Sequence, residues 1–177
     1  MPLRARSHPS VTRLSRRAFW RRFGRLEHER LEFKRSAAHV QEAVVAMAMA
    51  SGGTILVGVG DDRRLVGCAP VQDALDRVGK VAALTDVELR VRLLRVAGVP
   101  LLAVHVPAVR DRVVTTPDGR VLRRVGSANQ PLVGDAVARF VRARDAMRVS
   151  RTRGGDPGRA RAAPSGAALA PVFPDVP

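Results

Sequence analysis

Cysteine is nearly absent from this chain: Cys68 stands alone, so neither an internal disulfide nor a cysteine-based zinc site can form. That fits a reducing, cytoplasmic setting. Tyrosine is missing and aromatic residues amount to 3%, which argues against the base-stacking sheet of an RRM-type domain, where exposed rings carry the RNA. No apolar run approaches the ~18 residues of a membrane span, and the basic N-terminus is not followed by the apolar stretch of about 7–15 residues that marks a secretory signal. No membrane association is expected. The pattern GxxxxGK[ST] does not occur, since Gly79-Lys80 is followed by Val81, so ATP binding through a P-loop is not expected. His8, His28, His39 and His105 show no paired metal spacing on one face, and no internal repeat divides the chain.

Arginine is what the chain has in excess. The formal net charge is +15, and Lys34 and Lys80 are the only lysines among 31 basic residues. Residues 1–25 hold eight Arg and no acid, and residues 139–177 hold eight Arg against Asp145, Asp156 and Asp175. The body between them is close to neutral, with 15 basic and 13 acidic residues. Basic ends on a near-neutral body read as arms that hold a polyanion, because each phosphate neutralised releases condensed counterions. DNA or RNA is the leading partner. The alternative is that the ends are merely solvated and the arginines compositional. An anionic membrane fits less well, since residues 1–25 show no sustained apolar face beyond Phe19, Trp20 and Phe23.

At 177 residues and 46% apolar content the chain suits one compact domain. The pattern predicts a disordered basic arm over 1–14, a domain over 15–148 and a disordered Arg-, Pro-, Gly- and Ala-rich tail over 149–177. Ser15 is placed to cap a helix running to about residue 25, with Phe19, Trp20 and Phe23 on its packed side. Residues 31–35 (LEFKR) alternate as a half-buried strand, putting Glu32 and Lys34 on one face. A helix over 39–50 ends at Ser51-Gly52-Gly53, and TILVGVG over 54–60 reads as a strand buried on both faces. Further on come a short strand at 65–68, a helix over 71–83, a strand over 87–93 and a turn over 97–100 with its returning strand at 101–106. Strands at 113–116 and 121–125 flank the turn Pro117-Asp118-Gly119, and a last helix covers 135–148. The fold class is mixed α/β, a mainly antiparallel sheet flanked by helices, with flexible basic termini.

Three groups of residues carry possible chemistry. Glu27 and Glu32, with Asp61 just past the buried strand, would suit Mg²⁺ or Mn²⁺ if they converge, because these hard ions prefer oxygen ligands. Such a metal would activate water for phosphodiester cleavage with Lys34 against the developing charge. A solvated acid–x–Lys strand is the plainer reading of the same spacing. Ser51-Gly52-Gly53-Thr54 and Gly58-Val59-Gly60 invite a nucleotide-loop reading, but the glycines close a helix and open a strand, the reverse of a phosphate loop. They are read as a tight helix–strand junction. Arg123, Arg124, Ser127 and Asn129, together with Lys34 and Arg35, are donors suited to phosphate or sugar; ordinary residues at a strand end are the alternative.

Glu27, Leu31-Glu32-Phe33-Lys34-Arg35, Ala46-Met47-Ala48, Gly52 to Val59, Asp61-Asp62, Val66-Gly67 and Arg124-Val125-Gly126-Ser127 with Asn129 follow one another in an order that resembles the Schlafen AlbA-like domain. The resemblance covers about residues 27 to 130. It implies a compact α/β domain, described in bacteria as a DNA-binding module often attached to regulatory or helicase-like partners. In animal Schlafens similar domains cleave tRNA and rRNA with two glutamates and an aspartate, which match Glu27, Glu32 and Asp61, with Asp62 as the neighbouring choice. Two departures stand out: Met49 where the family commonly has Asn, and Gly60 where it has an acid. Loss of that acid implies a weakly held metal and binding without catalysis. The nuclease Schlafens enclose RNA with a duplicated domain, so a single copy implies a homodimer for a comparable groove. Two functions are expected from this: a regulatory nucleic-acid-binding protein, or a Mg²⁺- or Mn²⁺-dependent endoribonuclease acting on structured RNA such as tRNA.

Overall fold

The computed structural model describes residues 11–153. The expected arm at 1–10 and the tail from 154 onward lie outside the described residues. Within them the order of elements is β1 (Val11–Leu14), α1 (Arg16–Phe23), β2 (Leu31–Lys34), α2 (Gln41–Ala48), β3 (Gly53–Val57), α3 (Val71–Thr85), β4 (Arg90–Val96), β5 (Val99–Val106), β6 (Leu122–Val125), β7 (Ala128–Pro131) and α4 (Asp135–Arg153). Five strands form one sheet in the order β1-β4-β5-β3-β2, and β6 and β7 form a separate hairpin. The pairs β1–β4 and β2–β3 are parallel; β3–β5, β4–β5 and β6–β7 are antiparallel. The expected mixed α/β class is the observed one, with a five-stranded sheet evenly divided between parallel and antiparallel pairings rather than mainly antiparallel.

Both faces of the sheet are covered, which explains the continuous apolar run at β3. Leu56 of β3 and Leu101 and Ala103 of β5 pack with Phe19 and Phe23 of α1 on one face. Ile55, Val57, Leu102, Val104 and Val106 point the other way, into a core built with α2 and α3. This is the period-2 alternation of side chains, with apolar residues required at every position because neither face meets water. Helix α2 is buried from Ala43 to Ala48, and a helix apolar all round belongs in an interior. Arg144 of α4 closes its C-terminal end, donating to the carbonyl of Met49 at 2.5 Å and to that of Val109. The Met49 carbonyl would otherwise be orphaned at the end of the helix.

The Ser51-Gly52-Gly53 junction is as tight as its composition implies. Gly52 has φ +70, and a Cβ there would sit 2.6 Å from the carbonyl oxygen of Val106; one at Gly53 would sit 2.7 Å from that of Arg30. The obstacles are backbone atoms, which cannot swing aside. Gly52→Ala is therefore expected to destabilise the fold by roughly 1–3 kcal/mol, read from the midpoint of urea unfolding at unchanged slope.

The structure corrects five further sequence expectations. Residues 11–14 are not part of a disordered arm: they form β1, hydrogen-bonded along β4 with Val11 opposite Leu93 and Leu14 opposite Val96. The strand at 87–93 begins instead at Arg90 and continues to Val96, because Ala97 and Gly98, both at positive φ (48 and 85), make the reversal themselves. Leu65–Cys68 contributes a single bridge, Val59 to Leu65. Pro117-Asp118-Gly119 does turn, held by Gly119 N–H to the Thr116 carbonyl at 2.8 Å, yet residues 113–116 form no strand. β6 pairs with β7 across Gly126-Ser127, where Gly126 supplies a positive φ of 58. Finally, the last helix runs to Arg153, five residues into the expected tail.

His105 of β5 is half-buried, opposite Thr54 of β3 and Arg90 of β4. Burial first, then the charges of Arg90 and Arg30, hold its imidazole below the ordinary value of 6.5. The unfolded chain therefore binds the proton more readily than the folded one, so stability present above pH 6.5 falls as pH drops through and below that value. Unfolding midpoints should decline between pH 7.5 and pH 5.5, and His105→Gln should flatten the decline.

Candidate functional site

The carboxylate expected at the centre of the site is Glu32, on the same face of β2 as Lys34. It is 4% exposed, where a half-buried strand would have left it wet, because the β6–β7 hairpin covers it. Its Oε1 lies 2.5 Å from Lys34 Nζ, and its Oε2 lies 2.5 Å from Arg124 Nη2. Arg124 has no exposed side-chain surface. It also donates from Nη1 to Asn129 Oδ1 at 2.7 Å and from Nη2 to the carbonyls of His28 (3.1 Å) and Leu31 (3.3 Å). Glu32 is thus the anion of a buried triad that fastens the hairpin to the edge strand of the sheet.

The other two expected carboxylates have different tasks. Glu27 is exposed, and its Oε1 accepts the backbone N–H of Phe33 at 2.8 Å, satisfying a donor on the outer edge of β2. Asp61 is exposed in the turn after β3, and its main-chain carbonyl accepts from Arg63 at 3.0 Å. Among the described residues no group of three His, Cys, Asp or Glu side chains is placed to hold a metal ion. Mg²⁺ or Mn²⁺ does not fit this donor set: to reach Glu32 it would have to displace Lys34 or Arg124, and Arg124 has no water to withdraw into. The metal-ligand triad Glu27, Glu32 and Asp61 is therefore not assembled by the fold.

The candidate phosphate donors divide in the same way. Arg35, Arg123 and Ser127 are exposed, and Lys34 keeps 26% of its side chain accessible. Arg124 and Asn129 are spent on internal bonds, and Asn129 lies in β7 rather than in a loop. Met49, which stands where the family commonly has Asn, is 2% exposed, and its Sδ accepts the N–H of Val114 at 3.3 Å. A side chain at Gly60 would meet the Asp62 carboxylate at 2.8 Å.

Sequence reasoning missed a second basic feature. Arg16, Arg17 and Arg21 of α1, with Arg25, face Arg63 and Arg64 across an open hollow of about 810 Å³ that also touches Trp20 and Leu65. The spacing of Arg17, Arg21 and Arg25, four residues apart, was the available signal for one side of it. Nothing local brings residues 63–64 opposite.

Comparison with known proteins adds the family. The Schlafen, AlbA_2 family model matches residues 27–133. None among the curated proteins matches this sequence. The DIP2311 protein from Corynebacterium diphtheriae is similar in fold, with 23% identity and a TM-score of 0.51 over 59% of this chain and 25% of its own, so the chain spans about a quarter of that protein. The N-terminal domain of an ATP-dependent DNA helicase RecG-related protein from Nitrosomonas europaea is 26% identical over 61% of this chain and 86% of its own, with a TM-score of 0.40.

Proposed function

The chain belongs to the Schlafen AlbA_2 family, and from that premise we propose that it is a regulatory nucleic-acid-binding protein, directed to DNA, that grips the sugar–phosphate backbone by charge and does not cut it. The observation that carries this reading is the one-sided charge, +15 over the chain, part of which the described residues expose on one helix: α1 alone has four arginines in eight residues, all exposed, and no acid in its first turn. Charge of this kind supplies sequence-independent affinity through counterion release. The scarcity of rings, 3% of residues, leaves little for reading bases by stacking. The binding of Glu32 by two cations favours binding over hydrolysis.

The test is a pair of gels. Purified protein is incubated with labelled duplex DNA, single-stranded DNA and tRNA, in Mn²⁺ or EDTA, and each sample is run native and denaturing. A mobility shift with every strand intact is expected, strongest for duplex DNA. Discrete Mn²⁺-dependent tRNA fragments would instead establish an endoribonuclease, and no shift at low salt would remove nucleic acid as the partner.

A further inference from the structure

Helix α1 precedes the segment matched by the family, residues 27–133, so family membership assigns it no role. It also lies on the opposite side of the sheet from the Glu32 triad. Leu31 and Phe33 of β2 pack toward α1, and alternation turns Glu32 and Lys34 the other way. The hollow beside α1 is therefore a separate feature of the surface.

Its floor and walls are built rather than incidental. Trp20 forms the floor, half-buried and edge-on to Phe19 at 4.8 Å and to Phe33 at 5.8 Å, with the Arg25 guanidinium 5.4 Å from its ring centroid. Arg16, Arg17 and Arg21 stand exposed along one wall. Arg63 and Arg64 make the other, on a turn closed by Gly60 N–H to the Arg64 carbonyl at 2.8 Å. Arg63 occupies φ 63, a left-handed conformation uncommon for a residue with a side chain. From there its Nε reaches the Arg25 carbonyl at 2.9 Å and ties the two walls together.

No carboxylate is among the described lining residues. Arg64 pairs with Asp62 at 3.2 Å, but their side chains are 83% and 56% exposed, so the pair takes little from the positive potential. Arg16 and Arg17 occupy the first turn of α1, where the helix dipole opposes cations. Folding alone gives no reason to gather these guanidiniums. An anion lying among them removes both the mutual repulsion and the conflict with the dipole, and guanidinium groups match phosphate oxygens in paired hydrogen bonds. Six cations exceed what one phosphate needs, and an open hollow suits a chain that enters and leaves.

We propose that the hollow between α1 and the 61–65 turn is the dock for the sugar–phosphate backbone of a nucleic acid strand, with Arg17 and Arg21 engaging neighbouring phosphates and Trp20 forming the floor. This rests on the nucleic-acid reading above and gives it a place. Because Arg25 already covers Trp20, the dock holds backbone and leaves base identity unread.

Trp20 is the only tryptophan and there is no tyrosine, so intrinsic emission reports on this hollow directly. The full chain is titrated with a short labelled duplex, followed by anisotropy, and with the same duplex unlabelled, followed by Trp20 emission. Both signals are expected to share one midpoint. Arg17→Ser with Arg21→Ser changes exposed side chains, and with an unaltered melting temperature it should weaken binding about tenfold or more and reduce the salt slope by about two. Constant Trp20 emission while anisotropy rises, or unchanged affinity and slope in the double variant, overturns the dock and leaves the nucleic-acid reading standing. No anisotropy change at low salt defeats both, and sedimentation with phosphatidylserine vesicles in that case would give the hollow to a membrane surface.

Discussion

Glu32→Gln should cost the protein about 3–5 kcal/mol of stability, the range found when one partner is removed from a buried ion pair. The substitution changes little in shape. It leaves the Arg124 guanidinium, with no exposed side-chain surface, facing a neutral amide where a carboxylate lay 2.5 Å away. The bonds from Arg124 to Asn129, His28 and Leu31 remain, so the hairpin stays attached but its cation is no longer matched. Lys34→Ala should be mild by comparison, about 1 kcal/mol or less, because that ammonium reaches water. A double-mutant cycle of Glu32→Gln with Arg124→Met should show a loss smaller than the sum of the single losses, since the second change removes the charge that the first stranded. Urea unfolding of the four proteins measures all of this. A loss below about 1 kcal/mol for Glu32→Gln would mean that the triad does not carry the hairpin. The same result bears on nuclease assays: loss of activity in this variant would not by itself identify a catalytic carboxylate.

Phe19→Ala should be comparably damaging, about 3–5 kcal/mol. Phe19 has no exposed surface and its ring meets Trp20 at 4.8 Å and Phe23 at 5.2 Å. Its removal opens a cavity beneath α1, between the helix and the strands carrying Leu56, Leu101 and Ala103. The prediction separates two pictures of the N-terminal arginines. If α1 were a loose arm, its packing would contribute nothing, and Phe19→Ala would leave the melting temperature alone. If α1 is a wall of the domain, the variant should melt on the order of 10 °C lower, and Trp20 emission should shift toward the red as its packing loosens.

Local signals carried the local structure well. Ser15 accepts the N–H of Ala18 at 3.1 Å, as its capping position implied, while the helix expected to run to about residue 25 ends at Phe23 with Gly24 at φ 82. The apolar run after Gly53 became a strand covered on both faces, and the two glycines before it became a close helix–strand junction. What the sequence did not show is what depends on distant partners. β1 is four residues long, and only its pairing with β4, about eighty positions later, makes it a strand. Alternation correctly put Lys34 beside Glu32, but Arg124, 92 residues away, turns that carboxylate from a candidate metal ligand into the centre of an ion triad. The Pro117-Asp118-Gly119 turn was a true signal attached to the wrong pairing, because β6 finds its partner beyond Gly126. The arginines of α1 were placed on a packed helix as expected, but Arg63 and Arg64 opposite them were not foreseen, since a charge count carries no information about which loop folds back to face a helix.

The proposed function, holding a polyanion and keeping it intact, rests on the excess of arginine and on the ion-paired Glu32. The most direct test is the salt dependence of duplex DNA binding by the unaltered chain. A plot of log Kobs against log salt concentration should fall linearly with a slope of about −3 or steeper, since each phosphate neutralised contributes about −0.9. A slope near zero, or no binding at low salt, would contradict the account.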